Sequence, residues 1–158
     1  MDTKTTYSVA FICTRNACRS QMAQAIAAVM YPDVITAFSA GTEPGNAIDP
    51  VAVDMIRRRY GIDMTRSQRS KPLSELPVVD VVVTMGCGVA CPALEAGYRE
   101  DWGLDDPMGG PRQGYAACID AIEDRMGRLA AALRSWLSYT PVPADDEDRL
   151  DTSATCTA

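Results

Sequence analysis

Tyr7–Ser20 reads Tyr-Ser-Val-Ala-Phe-Ile-Cys-Thr-Arg-Asn-Ala-Cys-Arg-Ser: a short apolar run, a polar loop opening at Cys13, and Arg19-Ser20 at the head of a helical pattern. The apolar part, Tyr7–Thr14, carries no helical stripe and has the length of a buried strand. Ser20–Met30 then sets Met22, Ala23, Ile26, Ala27 and Met30 on one helical face. Strand, loop and helix in that order put the loop at the positive end of a helix dipole, where backbone N–H groups converge on an anion. The same field favours a thiolate at Cys13, the nucleophilic form of the side chain. Arg19 adds a planar fork of donors suited to a tetrahedral oxyanion. The bare Cys-x5-Arg spacing decides nothing, because six cysteines and thirteen arginines produce it by chance about once in two chains of this composition. The strand–loop–helix setting, Asn16 inside the loop and Ser20 after the arginine favour an anion cradle over its rival, a buried structural cysteine with a solvent arginine.

Outward from the loop, strands and helices alternate. Asp33–Ser39 reads as a second strand, closed by Ala40-Gly41-Thr42. Asp49-Pro50 opens a helix that runs through Ala52, Met55 and Ile56 to Tyr60 and stops at Gly61. The near-continuous valines of Val78–Met85 suit a parallel strand covered on both faces. Tyr98–Gly103 reads as a further short strand. Gly114–Leu137 is a long helix, with Ile119, Ile122, Met126, Leu129, Leu133 and Trp136 at spacings of three and four. This alternation implies right-handed βαβ units in an α/β three-layer sandwich around a four-stranded parallel sheet, with the anion loop after the first strand. Ligands in such folds bind at the carboxyl ends of strands. Cys13 and Cys87 both fall there.

The chain has 158 residues, enough for one domain burying roughly 68–70% of its unfolded surface. We assign residues 1–138 to a single catalytic domain. Residues 139–158 carry five acidic side chains against Arg149 alone and read as an acidic, disordered tail. No run approaches the roughly 20 apolar residues of a membrane span, and Met1–Tyr7 is too polar for a signal peptide. The expected compartment is cytoplasmic, without a membrane partner. A net charge of −6 without a basic face excludes nucleic acid. The complete lack of histidine excludes Cys–His dyads, Ser–His–Asp triads and every histidine-containing metal site. Six cysteines in a reducing compartment point to catalysis, redox work or metal rather than structural disulfides.

Within the loop, Thr14, Arg15, Asn16, Ala17, Cys18 and Arg19 are the candidate substrate-binding residues. Asn16 tolerates the left-handed turn such a loop requires, and Ser20 can donate a hydrogen bond to the Cys13 thiolate. The segment Cys87-Gly88-Val89-Ala90-Cys91-Pro92 offers two more thiols. They read either as a redox pair, whose closure needs local unwinding, or as two small buried hydrophobes. With neighbouring strands about 4.8 Å apart, Cys87 can also reach Cys13 after a loop shift. Asp106, held extended by Pro107, is either a general acid facing the cradle or a turn aspartate. A zinc module built on Cys13, Cys18, Cys87 and Cys91 is conceivable, but Cys13 with Arg19 fits an anion cradle better, so no metal and no cofactor are expected. Cys118 reads as core, Cys156 as incidental, and Arg57-Arg58-Arg59 as a solvated face.

Taken together, these residues resemble the low-molecular-weight protein tyrosine phosphatase superfamily, and within it the arsenate reductases that couple to thioredoxin. The resemblance spans roughly Ser8 to Leu137. It rests on Cys13–Ser20 with Gln21-Met22-Ala23, on Gly61-Ile62-Asp63, on Val82–Cys87, and on Glu100–Pro107. It implies Cys13 as nucleophile, Arg19 as oxyanion binder, Asp106 as acid, and Cys87 and Cys91 as a disulfide relay. The implied reaction reduces arsenate to arsenite and is regenerated by thioredoxin, glutaredoxin or a low-molecular-weight thiol. The alternative is a low-molecular-weight phosphatase hydrolysing phosphate monoesters through a phosphocysteine; the protein is expected to be a monomer. Met108-Gly109-Gly110 after Asp106-Pro107 stands where phosphatases of the superfamily usually carry tyrosines, which favours the reductase. Several positions depart from the pattern. Only three residues separate Cys87 from Cys91, where the best-known members have six. Arg15 replaces a common glycine, and Gln24 replaces a glutamate that helps some members hold potassium. Cys18 admits a protective disulfide with Cys13.

Overall fold

The computed structural model describes residues 5–86 and 94–138. Cys87, Cys91, Cys156 and the whole acidic segment 139–158 therefore lie outside the described residues. In chain order the elements are β1 (Tyr7–Cys13), α1 (Arg19–Met30), β2 (Ile35–Gly41), α2 (Pro50–Tyr60), two 3-10 turns at Met64–Arg66 and Leu73–Glu75, β3 (Val81–Thr84), β4 (Tyr98–Asp101) and α3 (Arg112–Ser138). The strands form one parallel sheet in the order β2-β1-β3-β4.

Strand periodicity sorts the side chains. Val9 and Phe11 of β1, with Val81 and Val83 of β3, face the core built by α1, α2 and α3. Ala10, Ile12, Ala40 and Val82 face the other way, where the Leu73–Glu75 turn and residues 94 and 96 cover them. β1 lies between β2 and β3, so Val9, Ala10, Phe11 and Ile12 are all fully buried. The sheet is thus sandwiched as the alternation implies, with a thick helical layer on one face and a thin irregular one on the other.

The ends of the elements explain where sequence and structure part. β3 begins at Val81 rather than Val78 because the ladder to Val9 and Tyr98 starts there. Before it, the Asp80 carboxylate accepts from the Ser8 N–H and hydroxyl, and Val78 stands 92% exposed. β2 starts at Ile35 rather than Asp33, whose carboxylate pairs with Arg134. Trp136 continues the apolar stripe of α3 but remains half-exposed. It meets the rings of Tyr7 and Tyr98 edge-on at 6.0 and 5.2 Å. α2 follows its signals closely: Asp49 caps it, Pro50 starts it, and Gly61 ends it in the left-handed conformation at φ 76°. Arg57 and Arg58 pair with Asp54, and Arg59 with Asp120 and Glu123, on the solvent face. No helix among the described residues is long and apolar enough to cross a membrane.

Candidate active site around Cys13

The register delivers Cys13 to the carboxyl end of β1, opposite Gly41 of β2 and one residue past the Ile12–Thr84 pair. Its sulfur is buried, 2.8 Å from Ser20 Oγ, and accepts the Asn16 N–H at 3.2 Å. Asn16 is the one non-glycine residue with positive φ among those described, at 53°, as the left-handed turn requires. Its side chain fixes that turn: Nδ2 donates to Ser20 Oγ at 2.7 Å, and Oδ1 accepts from the Lys71 N–H at 3.0 Å.

Every loop carbonyl is held from behind. Those of Cys13, Thr14, Arg15 and Ala17 accept from the N–H groups of Thr42, Glu43, Gly45 and Asp49, and that of Asn16 from Gln21 Nε2. A trans peptide points its N–H opposite its C=O, so each held carbonyl turns the following N–H toward the opposite side, over Cys13. No side chain caps α1 at Cys18, which leaves the first-turn N–H groups to the same concavity. Such an arrangement suits an anion. Gly41 makes it possible: a Cβ there would lie 2.6 Å from the Thr14 carbonyl oxygen and 2.9 Å from Asn16 N.

Arg19 closes the cradle. It is buried, and its Nη1 donates to the carbonyls of Met85 and Leu104, which follow β3 and β4. That anchors one edge of the guanidinium and presents the other. A buried cation with only neutral carbonyls at its anchored edge favours an anion at its open one. Asp106 Oδ2 stands 3.9 Å from Nη2, and the carboxylate is half-exposed. Its Oδ1 also accepts the Met108 N–H at 3.1 Å, the contact of a turn aspartate. Beside it opens a cleft of about 460 Å³ lined by Leu104, Pro107, Met108, Ala117 and Cys118, with no aromatic side chain in its wall among the described residues.

The structure brings Thr14–Ser20 and Asp106 together around Cys13; Arg15 alone of the loop points its bulk to solvent. Cys18 and Cys118 are buried, and burial pushes both thiols up. Cys18 rises well above the ordinary range, helped by Cys118 and Asp49, while Cys118 rises to about 11 despite the opposing pull of Arg19. Cys118, read as core, also lines the cleft at Asp106. Among the described residues no three metal-ligating side chains gather. The zinc set shares Cys87 and Cys91 with the relay, outside those residues. Beyond the expected residues, the site depends on Gly41, on the carbonyls of Met85 and Leu104, and on residues 68–72 behind the loop. A glycine closing a strand hinted at the first; nothing in the sequence marks the others. At the far end Gly86, with φ 85° and a Cβ position 2.9 Å from Gly103 Cα, leads the chain into the Cys87 segment.

The family model described as low molecular weight phosphotyrosine protein phosphatase matches residues 8–138. A glutaredoxin arsenate reductase of Synechocystis sp. (strain PCC 6803) is 33% identical over 130 residues, covering 79% of this chain and 97% of that protein. A solved arsenate reductase in its phosphate-binding state superposes with a TM-score of 0.73 at 32% identity, over 80% of this chain and 98% of that one. A thioredoxin-dependent arsenate reductase from Corynebacterium glutamicum superposes with a TM-score of 0.67 at 28% identity, over 84% of this chain and 64% of that one. On the match of its sheet, its anion loop and most of its length, the chain belongs to the low molecular weight phosphotyrosine protein phosphatase family.

Proposed function

We propose that this protein reduces arsenate to arsenite. The observation that carries the reading is the Cys13 sulfur held by Ser20 and the Asn16 N–H in a loop whose carbonyls are all engaged elsewhere, with buried Arg19 anchored at one edge of its guanidinium at the head of the helix that follows, a setting suited to one tetrahedral oxyanion. The arsenate reductases among its relatives support the choice of arsenic over phosphorus, as does the cleft at Asp106, where the described residues offer no aromatic wall to a phosphotyrosine ring.

In this reading the Cys13 thiolate attacks arsenic. Ser20 and the Asn16 N–H hold the sulfur, the loop N–H groups and Arg19 hold three oxygens, and Asp106 protonates the departing oxygen, which leaves as water. The product is a Cys13–S–As(V) adduct. The Cys87 thiolate then attacks the Cys13 sulfur. The S–As bond breaks, its electron pair stays on arsenic, arsenite leaves, and a Cys13–Cys87 disulfide remains. Cys91 attacks Cys87, frees Cys13, and passes the disulfide to the relay pair. An external dithiol of the thioredoxin or glutaredoxin type returns two electrons. The catalytic unit is residues 1–138, acting in the cytoplasm as a monomer.

The test is arsenate-dependent NADPH oxidation with thioredoxin and thioredoxin reductase. Sustained turnover, abolished by Cys87→Ser and reduced to a single event by Cys91→Ser, is the expected result. Unimpaired multiple turnover in Cys87→Ser contradicts the relay. Aryl phosphate hydrolysis far faster than arsenate reduction replaces this reading with a phosphocysteine phosphatase.

A further inference from the structure

The carbonyls that shape the anion loop are not all held alike. Those of Cys13, Thr14, Arg15 and Ala17 accept from main-chain N–H groups, contacts that survive any side-chain substitution at the donor other than proline. Asn16 is different. Its carbonyl accepts from a side chain, Gln21 Nε2, at 2.9 Å.

Gln21 is fully buried, and its amide is used on both sides. Nε2 also donates to the Arg69 carbonyl at 3.0 Å, and Oε1 accepts from Gln68 Nε2 at 2.7 Å. Gln68 Nε2 reaches the Gln21 main-chain carbonyl as well, at 3.0 Å. The amide therefore cannot rotate by half a turn without setting oxygen against two carbonyl oxygens and nitrogen against a nitrogen. Residues 68–72 form a strap behind the loop. Ser70 Oγ donates to the Arg15 carbonyl at 2.9 Å, Lys71 N to Asn16 Oδ1 at 3.0 Å, and Gly41 N to the Lys71 carbonyl at 2.9 Å.

We propose that Gln21, locked by Gln68, is a positioning residue for the bound oxyanion. It holds the Asn16–Ala17 peptide with its carbonyl behind the loop, so that the Ala17 N–H faces the anion. Without that hold, the peptide is free to turn a carbonyl dipole toward the site, replacing an attraction with a repulsion. The inference deepens the function proposed above and rests on its anion-binding half, not on its redox half.

The probe is inorganic phosphate, titrated calorimetrically into the reduced full-length protein. Gln21→Met keeps the side-chain volume and removes both donors. Its phosphate affinity is expected to fall about tenfold, or ~1.4 kcal/mol. The KM for arsenate should rise by a similar factor, with kcat per folded molecule falling less. Gln68→Ala, which unlocks the amide but leaves it in place, is expected to weaken phosphate about threefold. Folded Gln21→Met protein with unchanged phosphate affinity and only a lower melting temperature overturns the proposal, because a merely structural role predicts that pattern. Where Gln21→Met does not fold, unchanged phosphate affinity in Gln68→Ala overturns it instead. Wild-type protein that binds phosphate yet makes no arsenite would refute the reductase reading and leave this inference standing on the titrations.

Discussion

Two segments face each other across the proposed site, and they are built in opposite ways. The loop from Cys13 to Ser20 is almost wholly buried, with every carbonyl engaged and its asparagine pinned at both ends of its side chain. The segment Asp105–Gly110 is largely exposed and held by a few local contacts: Met108 N to Asp106, Gly110 N to the Pro107 carbonyl, and a long 3.4 Å bond from Gly109 N to the Tyr115 hydroxyl. The difference fits what the proposed mechanism asks of each. Donors aimed at charge that develops in a transition state are effective only when they do not reorganise. A proton donor must meet both substrate and solvent, and gains from access.

That contrast breaks most visibly on the rigid side. Arg19→Lys keeps the charge but loses the fork and its two carbonyl anchors, and should lower kcat/KM for arsenate by roughly 10²–10³-fold, with phosphate binding weakened in parallel. Steady-state kinetics and phosphate titration measure both. On the open side, Asp106→Asn should slow turnover by about 10²-fold. Its melting temperature should stay near wild type, since the carboxylate is exposed and Met108 N keeps an oxygen acceptor. A large loss of stability there would show that the acid segment is as tightly built as the loop.

Two smaller effects sharpen the comparison. Gly41→Ala drives a methyl into the Thr14 carbonyl and should cost about 1–3 kcal/mol in urea denaturation, with weaker phosphate binding in what remains folded. Tyr115→Phe removes one hydroxyl, which donates to Asp49 Oδ2 at 2.5 Å and ties α3 to the cap of α2; about 1 kcal/mol is expected. This contribution has a pH signature. Burial, then the bond to Asp49, raises the Tyr115 phenol from its usual 10 to about 12. Its stabilisation is therefore full below pH 10 and is lost as pH rises toward 12, because the unfolded chain ionises first. Denaturation of wild type and Tyr115→Phe across that range should show the gap closing.

How much of this was legible in the sequence divides along similar lines. The strand–loop–helix around Cys13 could be read because its residues are contiguous and each type has a local reason: an apolar strand, a left-handed asparagine, a helix start. The cap, proline and glycine of α2 were equally plain. The shortened β3 was not, because nothing within Val78–Val83 shows that Asp80 turns inward to Ser8 and ends the ladder. The strap was silent for a related reason. Gln68 touches Gln21, and Ser70 and Lys71 touch the loop, from 47 to 55 positions away, through amide, hydroxyl and main-chain contacts that leave no pattern in composition. Cys87 and Cys91 were singled out by residue type and place in the chain; they lie outside the described residues, and the relay proposed for them rests on chemistry alone.

The most direct test of the central claim needs no external reductant. Fully reduced protein is mixed with excess arsenate, quenched, and assayed for arsenite and for remaining thiols. One arsenite released and two thiols lost per chain, with neither change in Cys13→Ser, is the result this mechanism requires. Phosphate-competent protein that releases no arsenite and keeps all its thiols would contradict it.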